Sequence, residues 1–168
     1  MNKTKPQRTD PKQIKQFFAD AQKRAAAARK NLAIDPETAY QIAYEAMIKA
    51  SLALMLSHGE RPRKQLGHHI AIIEFAQRHL PGASVGTFAL FDRMRRKRND
   101  AFYDIPLISD IEAEEAVSAA DAFLLLVEAD IKKRTPEGWD NRGRNGLPGL
   151  GQPVFLSIRL NTTKILLG

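Results

Sequence analysis

Residues 35–59 read DPETAYQIAYEAMIKASLALMLSHG. Asp35 followed by Pro36 is typical of a helix start, with the aspartate as N-cap and the proline at the first helical position. Behind this start, side chains suited to a core recur at helical spacing: Tyr40, Tyr44, Met47, Ile48, Ser51 and Met55. Because Gly59 then ends the pattern, the stretch predicts one long amphipathic helix.

Four more helices are predicted around this one. They cover about residues 11–32, 65–80, 85–102 and 110–131. The last of them begins with Ser109 and Glu112, which fit a capping box. Five amphipathic helices with short connections predict an all-α fold, an antiparallel bundle of four to five helices within residues 11–134.

The two ends of the chain are expected to differ from this bundle. Residues 1–10 are polar and are expected to be disordered. Residues 135–168 form a tail in which five glycines and two prolines fall between Gly138 and Pro153, which prevents a regular helix. Residues 154–160 then alternate as in a short strand. Docking on the bundle, pairing with another copy and disorder are the alternatives for this strand pattern.

Composition excludes several classes of site and partner. The 168 residues include no cysteine, which excludes disulfides, thiolate metal sites and cysteine nucleophiles. No apolar run approaches the roughly 18–20 residues of a membrane span, so no membrane partner is expected. No secretory leader is recognisable, and the expected compartment is the cytoplasm. The chain has neither a glycine-rich phosphate loop before a helix nor a Gly-x-Ser-x-Gly elbow.

The net charge of +7 is distributed unevenly along the chain. Residues 1–31 hold nine basic and two acidic residues, and residues 132–168 hold seven and two. Residues 32–131 hold ten basic and fifteen acidic residues, so this central part of the chain is acidic. Its basic residues concentrate in one segment, which we call the basic segment: Arg93, Arg95, Arg96, Lys97 and Arg98. An anionic partner is therefore expected at this segment rather than over the whole chain.

Arg98 is the unusual member of the basic segment. Its spacing places it on the stripe of Phe91 and Phe102, where a guanidinium needs an anion or hydrogen-bond acceptors. Asn99, Tyr103 and Asp104 are spaced to converge with it at the end of the helix. An arginine in such a position can hold a phosphate with two parallel hydrogen bonds. The alternative is a structural cluster of ion pairs that closes the bundle.

The four histidines do not predict a metal site. His68 and His69 are adjacent, and adjacent residues on a helix point about 100° apart. His79 lies three turns further along the same predicted helix. No metal and no cofactor are expected.

Residues 98–103, RNDAFY, resemble the motif of the HEPN superfamily, small helical bundles found in RNA-directed defence and toxin–antitoxin systems. The family motif is an arginine, often followed by asparagine, and then, after four to six residues, a histidine at the end of a late helix. Residues 35–47, 67–69 and 95–99 are similar to a subgroup of stand-alone bacterial members. The resemblance covers about residues 12–132.

The resemblance implies a homodimer that cleaves RNA without a metal. Its arginines would hold the scissile phosphate, and the motif histidine would handle the proton of the 2′-hydroxyl. Tyr103 stands where that histidine is expected, and a phenol with a pKa near 10 is a poorer base at pH 7 than an imidazole. Asp104, His68 and His69 are candidates to replace it. The catalytic candidates are Arg98, Tyr103 and Asp104, and the phosphate-binding candidates are Arg95, Arg98, Asn99, His68 and His69.

Three hypotheses follow from the sequence. The first is a HEPN-type dimer that binds RNA or nucleotide phosphate with weak or no cleavage. The second is an active metal-independent ribonuclease toxin, for which an antitoxin or a nucleotidyltransferase is a candidate partner implied by the resemblance. The third is a protein-interaction bundle in which the Arg98 cluster is purely structural.

Overall fold

Five α-helices and a pair of short β-strands make up the structure, a computed structural model that describes residues 3–63, 67–100 and 108–135. In chain order the elements are β1 (Thr4–Pro6), α1 (Pro11–Asn31), α2 (Pro36–Ser57), β2 (Glu60–Pro62), α3 (His68–His79), α4 (Val85–Asp100) and α5 (Asp110–Arg134). The predicted all-α bundle is confirmed.

Helix α2 lies at the centre of the bundle. It packs against α1, α3, α4 and α5. Side chains along its whole length are buried, including those of Tyr44, Met47 and Leu54. Each large apolar side chain buried in this way contributes about 1.5–3 kcal/mol. Because α2 contacts all four other helices, it is the frame on which the site is built.

The predicted helix starts at Asp35 and Ser109 are confirmed. The Asp35 carboxylate accepts hydrogen bonds from the backbone N–H groups of Glu37 and Thr38, at 3.1 and 3.3 Å. Ser109 and Glu112 form the predicted capping box, in which each side chain accepts from the other residue's backbone N–H. Caps of this kind stabilise a helix by about 1 kcal/mol each.

One helix is shorter than the sequence predicts. Helix α3 begins at His68 rather than near residue 65, because Gly67 precedes it in a left-handed conformation with φ of 78°. Helix α4 is described as far as Asp100, and its predicted end near Phe102 lies outside the described residues. Residues 101–107 lie outside the described residues, as do 64–66.

Two short β-strands pair where the sequence predicts a disordered N-terminus and a loop. Strand β1, within residues 1–10, pairs antiparallel with β2, where the sequence predicts a loop. Thr4 lies opposite Pro62, and Gly59, with φ of 72°, turns the chain from the end of α2 into β2. The pairing joins segments more than fifty residues apart, so no local pattern in either segment indicates it.

The tail lies almost entirely outside the described residues, which end at Thr135. The strand pattern at 154–160 and the division of the chain at residue 135 therefore stay predictions. Within the described part of the chain, no helix combines the length and the apolar character needed to cross a membrane.

Candidate anion-binding site

The basic segment occupies the last two turns of α4, and most of its cations are paired. Arg93 reaches Glu115 of α5 at 3.1 Å, and Lys97 is bonded to Glu112 of the same helix. Arg95 and Arg96 both bind Asp92 on their own helix, at 2.7 and 3.2 Å. Asp92 thus pairs with two of the arginines, and these four cations are largely explained by a charged helix surface.

Arg98 differs from the other four because it forms no ion pair with any described carboxylate. Its guanidinium carbon lies 5.8 Å from the centre of the Tyr44 ring, and the side chain is partly buried. A cation over an aromatic face is stabilised by about 0.5–2 kcal/mol, but this contact leaves the guanidinium N–H groups available as donors. Arg98 is therefore held against the bundle with its charge uncompensated by any described group.

Tyr44 connects Arg98 to a histidine on α3. The Tyr44 side chain is only 1% exposed, and its hydroxyl oxygen lies 2.7 Å from Nδ1 of His69. Its ring also makes an edge contact with Phe91, 5.7 Å between centres. A buried tyrosine hydroxyl needs a partner of this kind. Tyr44 thus supports Arg98 with its ring face and fixes His69 with its hydroxyl.

Both partners of this hydrogen bond are neutral at pH 7. Burial raises the pKa of Tyr44 to about 12, against the opposing effect of Arg98 and Arg95. Burial lowers the pKa of His69 to about 4, and the positive charges of His68, Arg98 and Arg95 act in the same direction. The imidazole next to Arg98 is therefore an uncharged ring in a positive field.

A depression opens to solvent beside Arg98, between α2 and α4. It has room for about one water molecule, about 10 Å³, and its lining includes Arg98, Tyr44, Glu37 and Lys97. Arg98 is itself partly exposed, so its guanidinium, which lies over the Tyr44 ring, can be reached by a ligand from solvent.

The structure brings together some of the predicted site residues. Arg98 and His69 contact the same tyrosine, and Arg95 is close enough to act on both Tyr44 and His69. The exposed ring of His68 packs edge-on against the ring of His69, 4.4 Å between centres. We call the group of Arg98, Arg95, Tyr44 and His69 the arginine cluster.

Other predicted site residues cannot be placed. Tyr103 and Asp104 lie outside the described residues, and the side chain of Asn99 does too. Sequence reasoning assigned Tyr44 to the core stripe and did not include it in the site. The signal that could have found it is chemical: a tyrosine on a buried stripe still has a hydroxyl that requires a hydrogen-bond partner.

A second group of rings lies at the opposite end of α3. Phe75 stacks on His79, 4.0 Å between ring centres, and makes an edge contact with His58. His58 Nε2 lies 3.1 Å from the carboxylate of Asp130 on α5. Arg78 lies over the Phe75 ring at 5.9 Å. We call the group of His58, Phe75, Arg78, His79 and Asp130 the Asp130 cluster.

The described side chains of the two clusters are not arranged to bind a metal ion. Among the described residues, no group of three or more histidine, aspartate or glutamate side chains is arranged to hold a metal ion. Neighbouring histidine rings in both clusters pack edge to face instead.

Comparison with known proteins adds no relative. No family model matches the chain, and no curated protein matches it. The resemblance to the HEPN superfamily stays a prediction, and the arginine cluster has to be interpreted from its own geometry.

Proposed function

We propose that the protein is a HEPN-type RNA- or nucleotide-binding protein that holds a phosphate group at the arginine cluster. The observation that carries this proposal is the contrast within the basic segment: Arg98 alone forms no ion pair with a described carboxylate. Its guanidinium lies over the Tyr44 ring, and its side chain is partly exposed to solvent. A phosphate, like a carboxylate, can accept two parallel hydrogen bonds from a guanidinium.

The neighbours of Arg98 support a phosphate rather than a carboxylate side chain as its partner. Arg95 adds a second positive charge, and His69 and Tyr44 add neutral polar groups. A phosphodiester offers two charged oxygens and two ester oxygens, and several donors from different helices can share them. Residues 32–131 carry five more acidic than basic residues, and half of their basic residues lie in the basic segment, which favours binding of nucleic acid at this one place.

Arg98→Ala is the variant that tests the proposal, and Arg96→Ala is its matched control. Both remove one arginine from the same helix, but Arg96 is 65% exposed and pairs with Asp92. We expect Arg98→Ala to weaken binding of single-stranded RNA by roughly 10- to 100-fold, because a hydrogen bond to a charged group contributes about 1.5–3 kcal/mol. Arg96→Ala should change the affinity by no more than about twofold, the effect of one distant charge.

The binding experiment is a fluorescence-anisotropy titration of the full chain at several salt concentrations. Affinity should fall with salt, since phosphate contacts release counterions. Equal losses in the two variants would show that RNA binds through general positive charge, as on the basic ends of the chain. If Arg98→Ala leaves RNA binding intact and instead lowers the melting temperature sharply, Arg98 is structural and the protein-interaction bundle is the better hypothesis.

A metal-independent ribonuclease is the second candidate function, and one observation favours it. His69 lies on the same tyrosine as Arg98, so an imidazole is available near the proposed phosphate even though Tyr103 occupies the motif position. Cleavage would join the 2′-oxygen to phosphorus, release the 5′-oxygen of the next nucleotide and require one proton to be removed and one supplied.

An RNA degradation assay in the presence of EDTA distinguishes binding from cleavage. Products that persist with EDTA and disappear in Arg98→Ala would support the ribonuclease. Intact RNA in a sample that binds it tightly would support the binding protein. The homodimer implied by the resemblance belongs to both candidates, and light scattering of the same samples measures it.

A further inference from the structure

A groove lies between the strand pair and the ends of α2 and α3, at the opposite end of α3 from the arginine cluster. Its volume is about 580 Å³, within the range that is typical of small-molecule sites. The charged and titratable residues of its lining are Lys5, His58, Glu60, Arg78 and His79. The groove therefore has the size and the lining of a site for a small polar molecule.

Lys5 and Arg78 are the two cations of this groove, and neither forms an ion pair with a described carboxylate. Lys3 binds both carboxylate oxygens of Glu74 at 2.8 Å, which fixes β1 beside α3. Two residues of a strand span about 6.6 Å, and four residues of a helix rise about 6 Å. The next cation of the strand, Lys5, is therefore brought to Arg78 instead of to a carboxylate.

The register of the strand pair adds a third positive charge beside Lys5. Arg61 lies directly opposite Lys5, and directly opposite residues have their side chains on the same face. Like charges in such a pair destabilise it. Arg61 likewise has no ion pair with a described carboxylate, so an anion bound next to Lys5 would offset a repulsion that no described acidic side chain offsets.

The fully buried ring of Phe75 positions the polar groups that α3 contributes to the groove. It stacks on His79 with 4.0 Å between ring centres, and the guanidinium carbon of Arg78 lies 5.9 Å from its centre. Nδ1 of His79 donates a hydrogen bond to the backbone oxygen of Phe75 at 2.9 Å, so the neutral ring leaves Nε2 as an acceptor. Side chains held in this way lose less freedom when a ligand binds.

A helix end that needs positive charge is the alternative explanation for Arg78. Arg78 and His79 lie in the last turn of α3, where cations offset the negative end of the helix dipole. This explains a basic residue at that place without any ligand. It does not explain Lys5, which belongs to a strand and lines the same groove. Two cations from different elements therefore favour an anionic ligand.

We propose that this groove binds a small phosphorylated sugar, with the phosphate between Lys5 and Arg78 and the hydroxyl groups directed to His79 and Glu60. A phosphate monoester carries a charge of about −1.5 to −2 at pH 7, which matches two cations better than the single charge of a carboxylate. Sugar hydroxyls can donate to Nε2 of His79 and to the carboxylate of Glu60. The proposal does not depend on RNA binding at the arginine cluster.

The test measures binding of ribose 5-phosphate to the full chain by isothermal titration calorimetry at pH 7.5 and fixed ionic strength. Ribose and inorganic phosphate are the two partial ligands. We expect ribose 5-phosphate to bind at least about fivefold more tightly than inorganic phosphate, since hydrogen bonds from its hydroxyls are added, and ribose to bind too weakly to measure. Equal affinities for ribose 5-phosphate and inorganic phosphate, or no binding of ribose 5-phosphate at millimolar concentration, would overturn the proposal.

Arg78→Ala should weaken binding of ribose 5-phosphate by about 10- to 100-fold, because hydrogen bonds to a charged group are lost. Lys5→Gln, a change outside the core, should weaken it by about 3- to 10-fold. Arg96→Ala is the matched control and should stay within about twofold of the wild type, because Arg96 is 65% exposed and pairs with Asp92 on α4. Equal losses in Arg78→Ala and Arg96→Ala would show binding through general positive charge. A loss in Arg98→Ala with none in Arg78→Ala would place the ligand at the arginine cluster, and either result overturns the proposal.

A measurement on the wild-type protein does not depend on any variant. In NMR spectra, ribose 5-phosphate should shift the ring signals of His79, which lines the groove, and leave those of His69 at the other end of α3 unchanged. Unchanged His79 signals at a ligand concentration that saturates the calorimetric titration would overturn the proposal.

Discussion

The two ends of α3 carry similar side chains in opposite electrostatic surroundings. In each cluster an arginine lies over a buried aromatic ring, at 5.8 Å for Arg98 on Tyr44 and 5.9 Å for Arg78 on Phe75. In each, that ring contacts a histidine whose neighbour is another histidine. The Asp130 cluster includes a carboxylate, whereas the arginine cluster contains two guanidinium groups.

This difference determines whether the histidine that contacts the buried ring has a carboxylate partner among the described residues. His58 is nearly buried, its side chain being 8% exposed, and Asp130 supplies the anion on which it depends. Burial lowers the pKa of His58, while the hydrogen bond to Asp130 opposes the change. His69 has a hydrogen bond but no anion among the described residues. In the described part of the chain, His69 therefore lacks the carboxylate partner that His58 has.

Phe75→Ala should give the largest effect on stability and should not affect RNA binding. Phe75 is fully buried, and its removal leaves a cavity among His58, His79 and the core. Such truncations lower the free energy of unfolding by about 3–5 kcal/mol. Urea denaturation measures this loss, and the Kd for RNA should stay within about twofold of the wild type while the protein is folded.

If Phe75→Ala does not fold, a milder substitution can still separate an effect on stability from an effect on RNA binding. Phe75→Leu keeps most of the volume and should lower the free energy of unfolding by about 1–1.5 kcal/mol. A folded Phe75→Leu protein that no longer binds RNA would show that the Asp130 cluster takes part in binding, against the contrast drawn between the two ends.

The sequence predicted the bundle well because its determinants are local. The N-cap at Asp35, the capping box at Ser109 and the stripe on α5 each act within one or two helical turns. The sequence failed for β1, whose partner β2 lies more than fifty residues away. It also placed the start of α3 too early, since the left-handed conformation of Gly67 depends on the path of the preceding chain.

Acid should destabilise the protein in part through His69. Its pKa is about 4 in the folded chain and about 6.5 in an unfolded one, so the unfolded chain binds the proton more tightly. The contribution of His69 to stability is therefore complete above pH 6.5 and is lost as the pH falls towards 4. Allowing for solvent screening of a partly exposed ring, the loss from pH 7 to 4.5 is about 1–1.5 kcal/mol.

His69→Gln isolates this contribution. Urea denaturation of wild type and variant at pH 7 and 4.5 should show a smaller acid loss in the variant, by about 1 kcal/mol. His58, whose pKa is also lowered, is present in both proteins and cancels in the difference. Equal acid losses would mean that His69 titrates normally in the folded protein, and the electrostatic contrast between the two clusters would not hold.

The candidate site was only partly predictable, for reasons that differ by residue. Arg98 could be found because its helical spacing places a charge on an apolar stripe, which needs an explanation. His69 entered through a resemblance, but its distance to Arg98 depends on how α3 packs beside α2, which no periodicity specifies. Tyr44 was missed because its position on the stripe already explained its burial. Its role becomes visible only once α3 and α4 are placed on either side of it.

Tyr44→Phe should have the smallest effect of these substitutions. It separates the hydrogen bond to His69 from the ring contact with Arg98. The substitution keeps the ring under Arg98 and the contact with Phe91 but removes the hydroxyl that bonds His69. The free energy of unfolding should fall by about 0.5–1 kcal/mol, and RNA affinity should fall by about two- to fivefold, because only the orientation of His69 is lost.

Tyr40→Phe is the matched control for this variant. Tyr40 lies one turn earlier on α2, and its buried hydroxyl has no hydrogen-bond partner of good geometry among the described residues, although the Arg93 guanidinium lies near it. The same substitution there should therefore leave the free energy of unfolding within about 0.5 kcal/mol of the wild type and the Kd unchanged. If Tyr44→Phe weakens RNA binding as strongly as Arg98→Ala, the tyrosine hydroxyl must itself contact the phosphate. If it has no more effect than Tyr40→Phe, His69 does not contribute to binding, and the site reduces to its two arginines.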